Sequence, residues 1–129
     1  MFSLRRETDY ALQFLKILSK STAGPASLKK ISIQTGISFL FLQKIARKLR
    51  MAGIIKSAQG VDGGYEINVH PKKITLKEVI TVMEGGCSLW SCHKNDKACG
   101  SKDCVIKENA GLINERILKV LDKVKVADL

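Results

Sequence analysis

Between Thr8 and Lys20, apolar residues recur at helical spacing, with Ala11, Leu12, Leu15 and Ile17 or Leu18 on one side, until Gly24-Pro25 ends the segment. Ser27 then stands as the N-cap of a short second helix, Leu28 to Thr35, and Gly36 suits its left-handed C-terminal position. After Ile37, Ser38 opens a third helix reaching about Met51. Two helices joined across Thr35-Gly36-Ile37-Ser38 make a helix-turn-helix. Gly53 stops the third helix. Ile54-Ile55-Lys56-Ser57 and Tyr65-Glu66-Ile67-Asn68 then predict two short strands around Gln59-Gly60-Val61-Asp62-Gly63-Gly64, a glycine-rich hairpin with the form of a wing.

Pro71 breaks the chain, and Thr75-Leu76-Lys77-Glu78 supplies a capping box for a helix to about Glu84, ended by Gly85-Gly86. A polar, cysteine-bearing loop follows. From Val105, the residues Leu112, Ile113, Ile117, Val120, Leu121 and Val124 recur at three and four, which predicts one long helix with a single apolar stripe. There is no internal repeat and no low-complexity tract. The chain reads as mainly α with a small β-hairpin wing: a winged helix-turn-helix over residues 1–72, then the cysteine loop and long helix over 73–129. Its 129 residues can build a core without disulfide staples.

Charge narrows the function. The formal net charge is +10, and residues 1–60 hold eleven Lys and Arg against only Glu7 and Asp9, a net +9. The polyanion-binding half is therefore the helix-turn-helix half. A membrane surface would suit the same charge, but no basic amphipathic anchor accompanies it, so nucleic acid is the expected partner.

On the third helix Leu42, Ile45, Ala46 and Leu49 share one face, which directs Leu40, Gln43, Lys44, Arg47, Lys48 and Arg50 elsewhere. An isolated run of this kind would be a solvated basic face; on the second helix of a helix-turn-helix it points to DNA. Ser38, Gln43 and Lys44 stand near the helix's amino end, the end that enters the major groove. Gln43 suits adenine and Lys44 guanine, while Arg47, Lys48 and Arg50 suit phosphates. Two of Phe39, Leu40, Phe41 and Leu42 must be core. Leu40 or Phe41 is left either to touch thymine methyls or to pack on a neighbouring helix. Gln59 at the wing tip either enters the minor groove or caps a plain hairpin.

Cys87, Cys92, Cys99 and Cys104 fall within eighteen residues, and the other 111 contain no cysteine. The amino terminus lacks the apolar core and cleavage site of a secretory signal, and no stretch approaches a membrane span, so a cytoplasmic location is expected. Thiols there stay reduced, which makes these cysteines ligands or redox switches rather than disulfides. Zinc sites pair cysteines two to four residues apart, twice over. The wider, irregular gaps here better suit an iron-sulfur cluster, with zinc, completed by His93 if needed, and a thiol switch as the alternatives.

These residues carry a resemblance. Thr8-Asp9-Tyr10-Ala11-Leu12, Gly24-Pro25 through Gly36-Ile37-Ser38, Leu49-Arg50-Met51-Ala52-Gly53-Ile54-Ile55-Lys56-Ser57, Gly63-Gly64-Tyr65 and the closing Ala127-Asp128-Leu129 make the chain similar, over essentially its full length, to the IscR and NsrR family of winged-helix transcription regulators. The resemblance implies a homodimer paired through the long carboxy-terminal helix, a near-palindromic double-stranded DNA operator, and an iron-sulfur cluster on Cys92, Cys99 and Cys104, with [4Fe-4S] preferred to [2Fe-2S]. Cys87 lies outside the family pattern, and the family's even spacing of five residues per gap is here six and four. Where the IscR branch has a histidine ligand, this chain has Lys107, which disfavours that branch. In the NsrR branch the fourth ligand is an aspartate on the partner's first helix, a position held here by Asp9, which composition alone reads as an ordinary first-turn acid. The family's usual glutamate and arginine are replaced by Gln43 and Gln59, so no relative's operator transfers. The function implied is a repressor whose DNA affinity reports nitric oxide, redox or iron-sulfur status.

An enzyme is the class the sequence supports least. It pairs no nucleophile with a base and places no phosphate-cradling glycine loop before a helix, and the lone His70 and His93 read as surface residues. A small electron carrier would account for the cysteines but not for the helix-turn-helix, the wing or the lopsided charge.

Overall fold

A computed structural model describes residues 3–21, 24–60, 63–90 and 104–129. Helix α1 (Arg6–Lys20) is followed by α2 (Leu28–Thr35) and α3 (Phe39–Met51), then by strands β1 (Ile55–Ala58) and β2 (Gly64–Ile67). A 3-10 turn (Pro71–Lys73) leads to α4 (Leu76–Glu84), and the long α5 (Lys107–Lys123) precedes a closing 3-10 turn, Val126–Asp128.

The turn between α2 and α3 is held from within α2. Ser27 and Ser38 occupy the expected N-cap positions, yet neither side chain caps its helix. Instead Thr35 Oγ1 donates to the Ile31 carbonyl at 2.7 Å and accepts the Ile37 amide at 3.2 Å, while Ser32 Oγ donates to the Ile37 carbonyl at 2.6 Å. Gly36 turns the chain at φ 74°, a conformation open to glycine without a Cβ penalty. Ile37 is buried behind it.

β1 and β2 pair antiparallel with Ile55 opposite Ile67 and Ser57 opposite Tyr65, each strand one residue from its expected bounds; Ile54 donates its amide to the Leu49 carbonyl, and its own carbonyl accepts the Asn68 amide. Lys56 and Glu66, directly opposite, form an ion pair at 3.3 Å. Ala26 extends the wing by two main-chain bonds to Tyr65, at 2.8 and 2.9 Å. Gly64 faces this junction, where an added Cβ would stand 2.2 Å from the Ala26 carbonyl oxygen.

One core joins Ala11, Phe14, Leu15 and Leu18 of α1 to Leu28 and Ile31 of α2, Leu42, Ile45, Ala46 and Leu49 of α3, Ile54 and Ile55, and Val79 and Met83 of α4. Phe14 takes the place expected for Leu12, which is only half-buried. Ile74 and Val126 complete the core because the chain returns after α5: Leu76 donates to the Val124 carbonyl and Val126 to that of Ile74, both at 2.9 Å. Val124 therefore leaves the helical stripe to which its spacing assigned it. α4 starts as the sequence indicates, Thr75 Oγ1 accepting the Glu78 amide at 3.0 Å. α5 begins at Lys107 rather than Val105, whose side chain is exposed.

Candidate functional site

The two faces of α3 separate cleanly. Leu42, Ile45, Ala46 and Leu49 are buried, whereas Ser38, Gln43, Lys44, Arg47 and Arg50 are exposed and Lys48 is half-exposed. Phe41 is half-buried and meets Tyr10 of α1 edge-on, with ring centroids 5.5 Å apart. Leu40, 74% exposed, and Phe39, 42% exposed, are left outward, so of the four apolar residues at the helix start Leu42 is buried and Phe41 half-buried. Gln59 is exposed at the end of β1, and Val61 and Asp62 lie outside the described residues. Lys48 and Arg50 also sit in the last turn of α3, where cations favour the helix dipole.

Two of the α3 cations are engaged within the chain. Lys44 Nζ reaches Glu7 Oε1 at 2.5 Å and Lys48 Nζ reaches Glu7 Oε2 at 3.2 Å. The two ammoniums, Lys44 foremost, hold the Glu7 carboxyl below its ordinary range. Sequence reading took Glu7 only as one of two acids in the basic half. An acid so outnumbered by cations is the signal that it will be paired.

The cysteine loop is rooted on both sides. At the end of α4, Glu84 Oε1 accepts the buried Thr8 hydroxyl at 2.6 Å and the Arg5 amide at 2.9 Å, and Arg5 Nε lies 3.4 Å from Oε2. On α5 the buried Asn114 accepts the Leu89 amide at 3.0 Å and the Ser88 hydroxyl at 3.3 Å through Oδ1. Neither anchor has a motif in the sequence, since each joins residues far apart in the chain. Between them lies an apolar groove of about 270 Å³, lined by Leu4, Ile80, Cys87, Leu89, Ile117 and Leu121 among others.

Of the expected cluster ligands, Cys104 is a half-buried free thiol just before α5. Asp9 is exposed on α1, where its carboxylate accepts from Gln13 Nε2 at 3.1 Å. Cys92, Cys99 and His93 lie outside the described residues. Among the described residues no three His, Cys, Asp or Glu converge as a metal site. Of the two expected donors that are described, Cys104 is not consumed by a disulfide and Asp9 faces outward rather than into its own core, so each is open to a ligand role. His70 has a structural role, its Nδ1 accepting the Lys72 amide at 3.2 Å.

Along α5, Leu112, Ile113 and Val120 are exposed, a stripe left uncovered among the described residues. No helix among the described residues is long and apolar enough to cross a membrane.

Comparison with known proteins places this geometry. The model of the Rrf2 family, described as iron-dependent transcriptional regulators, matches residues 4–129. The regulator IscR of Aliivibrio salmonicida is 29% identical over 115 residues, covering 89% of this chain and 68% of that protein. CymR of Bacillus subtilis is 30% identical over 115 residues, covering 89% of this chain and 79% of that protein. Its solved structure, titled as that of the global cysteine regulator, superposes with a TM-score of 0.80 at 29% identity over 99% of this chain and 95% of that one. The structure of T. potens IscR gives 0.75 at 28% identity, over 98% and 85%. These relatives are named as transcription regulators rather than enzymes, and the winged-helix, mostly helical fold is common to them. With its helix-turn-helix, wing and long carboxy-terminal helix, this chain belongs to the Rrf2 family of DNA-binding transcription regulators.

Proposed function

We propose that this protein is a homodimeric, cytoplasmic repressor of the NsrR type, whose binding to a near-palindromic operator is gated by an iron-sulfur cluster. The observation that carries the reading is the placement of Asp9: exposed, on the first turn of α1, next to residues bonded both to the root of the cysteine loop and to α3. Residues 1–72 read DNA, and 73–129 hold the sensor and the dimer contact. Cys92, Cys99 and Cys104 of one protomer, with Asp9 of the other, would hold the cluster. When bound, an iron-sulfur cluster, [4Fe-4S] on this reading, would supply iron chemistry responsive to nitric oxide or an oxidant. The chain's own part is to hold α1 in register with the recognition helix while Asp9 is engaged. Loss of that carboxylate contact frees α1, and DNA affinity then depends on the state of the loop.

On the DNA, Gln43 and Lys44 with Ser38 address base edges, Leu40 offers an apolar contact to a thymine methyl, and Arg47, Lys48 and Arg50 meet phosphates. Phe41 contributes from its place against Tyr10, and Gln59 reaches the minor groove from the wing. The exposed stripe of Leu112, Ile113 and Val120 on α5 serves as the dimer contact.

A second reading has its own support: CymR, among the structures that superpose best, is titled as a cysteine regulator. On that reading the cysteines form a thiol switch, or hold a structural zinc, and no cluster is present. Alanine replacement of Cys92, Cys99 and Cys104 in turn, with anaerobic purification, separates the two. Loss of brown colour in each variant supports the cluster. Full colour in any one removes that cysteine from the site, and a colourless wild-type protein that unfolds on chelation supports zinc.

A further inference from the structure

Three consecutive residues of the first turn of α1 face three parts of the molecule. Thr8 is buried and donates to Glu84, one residue before Gly85-Gly86-Cys87 begins the cysteine loop. Asp9 is exposed. Glu7, whose side chain is only 18% exposed, takes the ammoniums of both Lys44 and Lys48 on the outward side of α3. Lys44 and Lys48 are 58% and 36% exposed in their side chains, so each is open to solvent while tied to α1.

We propose that Glu7 is a positioning residue that restrains DNA affinity: it occupies the Lys44 and Lys48 ammoniums that would otherwise meet DNA, Lys48 at a phosphate and Lys44 at a base edge, and the first turn of α1 sets how firmly it does so. The proposal rests on the DNA-binding reading of α3. A carboxylate and a phosphate oxygen draw on the same N–H donors, and two ammoniums sharing one carboxylate present a net charge of +1 where two free ones present +2. Phosphate contacts govern affinity irrespective of sequence and set its salt dependence, so the effect reaches every DNA site. Because Thr8 and Arg5 bind Glu84, a shift at the root of the cysteine loop moves the turn that carries Glu7. The route from loop to recognition helix is then Glu84, the first turn of α1, Glu7, and the two lysines.

The test uses the full chain and a fluorescent random-sequence DNA duplex, with anisotropy titrations at several salt concentrations. Glu7→Gln is expected to bind about three- to fivefold tighter, the scale of an exposed ion pair, with a steeper dependence of affinity on salt. Replacing Lys44 and Lys48 by Ala in that background should abolish the gain. Glu7→Asp, one methylene short of the ammoniums, is expected between the two, and it carries the test alone if E7Q loses its helical circular dichroism. Glu84→Gln should shift affinity in the same direction by less, and no shift there removes the loop from the route. If wild-type protein binds and E7Q binds no tighter, Glu7 has no such role. If wild-type protein binds no duplex even at low salt, the DNA-binding reading itself falls.

Discussion

Gly64 is the position where a single methyl group matters most visibly. The wing is pinned to Ala26 by paired main-chain bonds at Tyr65, and the approach leaves a Cβ at residue 64 only 2.2 Å from a carbonyl oxygen. Gly64→Ala is expected to cost about 1–3 kcal/mol through the backbone shift it forces. A wild-type denaturant midpoint for that variant would contradict the close approach. Leu42, wholly buried in the shared core, should cost about 2–5 kcal/mol on truncation to Ala. Glu7 adds a pH dependence whose sign follows from its lowered carboxyl. A depressed acid contributes stability above its unfolded value and loses it as pH falls through the folded one. The stability difference between wild type and Glu7→Gln should therefore be full at neutral pH and shrink below 4.5, its ordinary value. Core residues such as Leu42 were legible from spacing, whereas the Glu7 and Glu84 bonds were not, because they join residues 37 to 79 positions apart.

The helices were legible wherever local chemistry decides them. α2 and α4 fall where periodicity and glycine stops indicate, and the Thr75 cap is made as expected. Removing that cap with Thr75→Ala should cost about 1 kcal/mol, read from thermal or chemical unfolding. The departures occur where tertiary contact outweighs local preference. Neither Ser27 nor Ser38 caps its helix, the turn before α3 being held instead by Ser32 and Thr35, and Val124 leaves α5 to pair with the segment before α4. On α3, Arg47 is exposed on the outward face. Arg47→Ala is expected to weaken binding to all duplexes alike and to reduce the slope of log affinity against log salt by about 0.9, one phosphate contact. An unchanged slope would remove Arg47 from the phosphate contacts.

At the scale of the molecule, the core that supports α3 includes α4 and the returning carboxy terminus, so residues before and after Pro71 share their packing. The apolar stripe of α5 was legible only in part: Leu112, Ile113 and Val120 are exposed, whereas Ile117 and Leu121 turn to the groove against α4 and Val124 leaves the helix. Val120→Asp should turn the proposed dimer into a folded monomer in sedimentation, with much weaker operator binding; an unaltered sedimentation coefficient would move the dimer contact elsewhere. The spacing of the cysteines suits a cluster better than zinc or a thiol switch, and the resemblance implies Asp9 as its fourth ligand, but cofactor identity is a property of filled coordination sites, which residue order alone does not determine. Native mass spectrometry of anaerobically purified protein, with its visible spectrum, measures this directly. A brown dimer carrying the mass of one iron-sulfur cluster per chain is expected, and a colourless protein with zinc, or with no metal after anaerobic reconstitution, would contradict the proposed cluster.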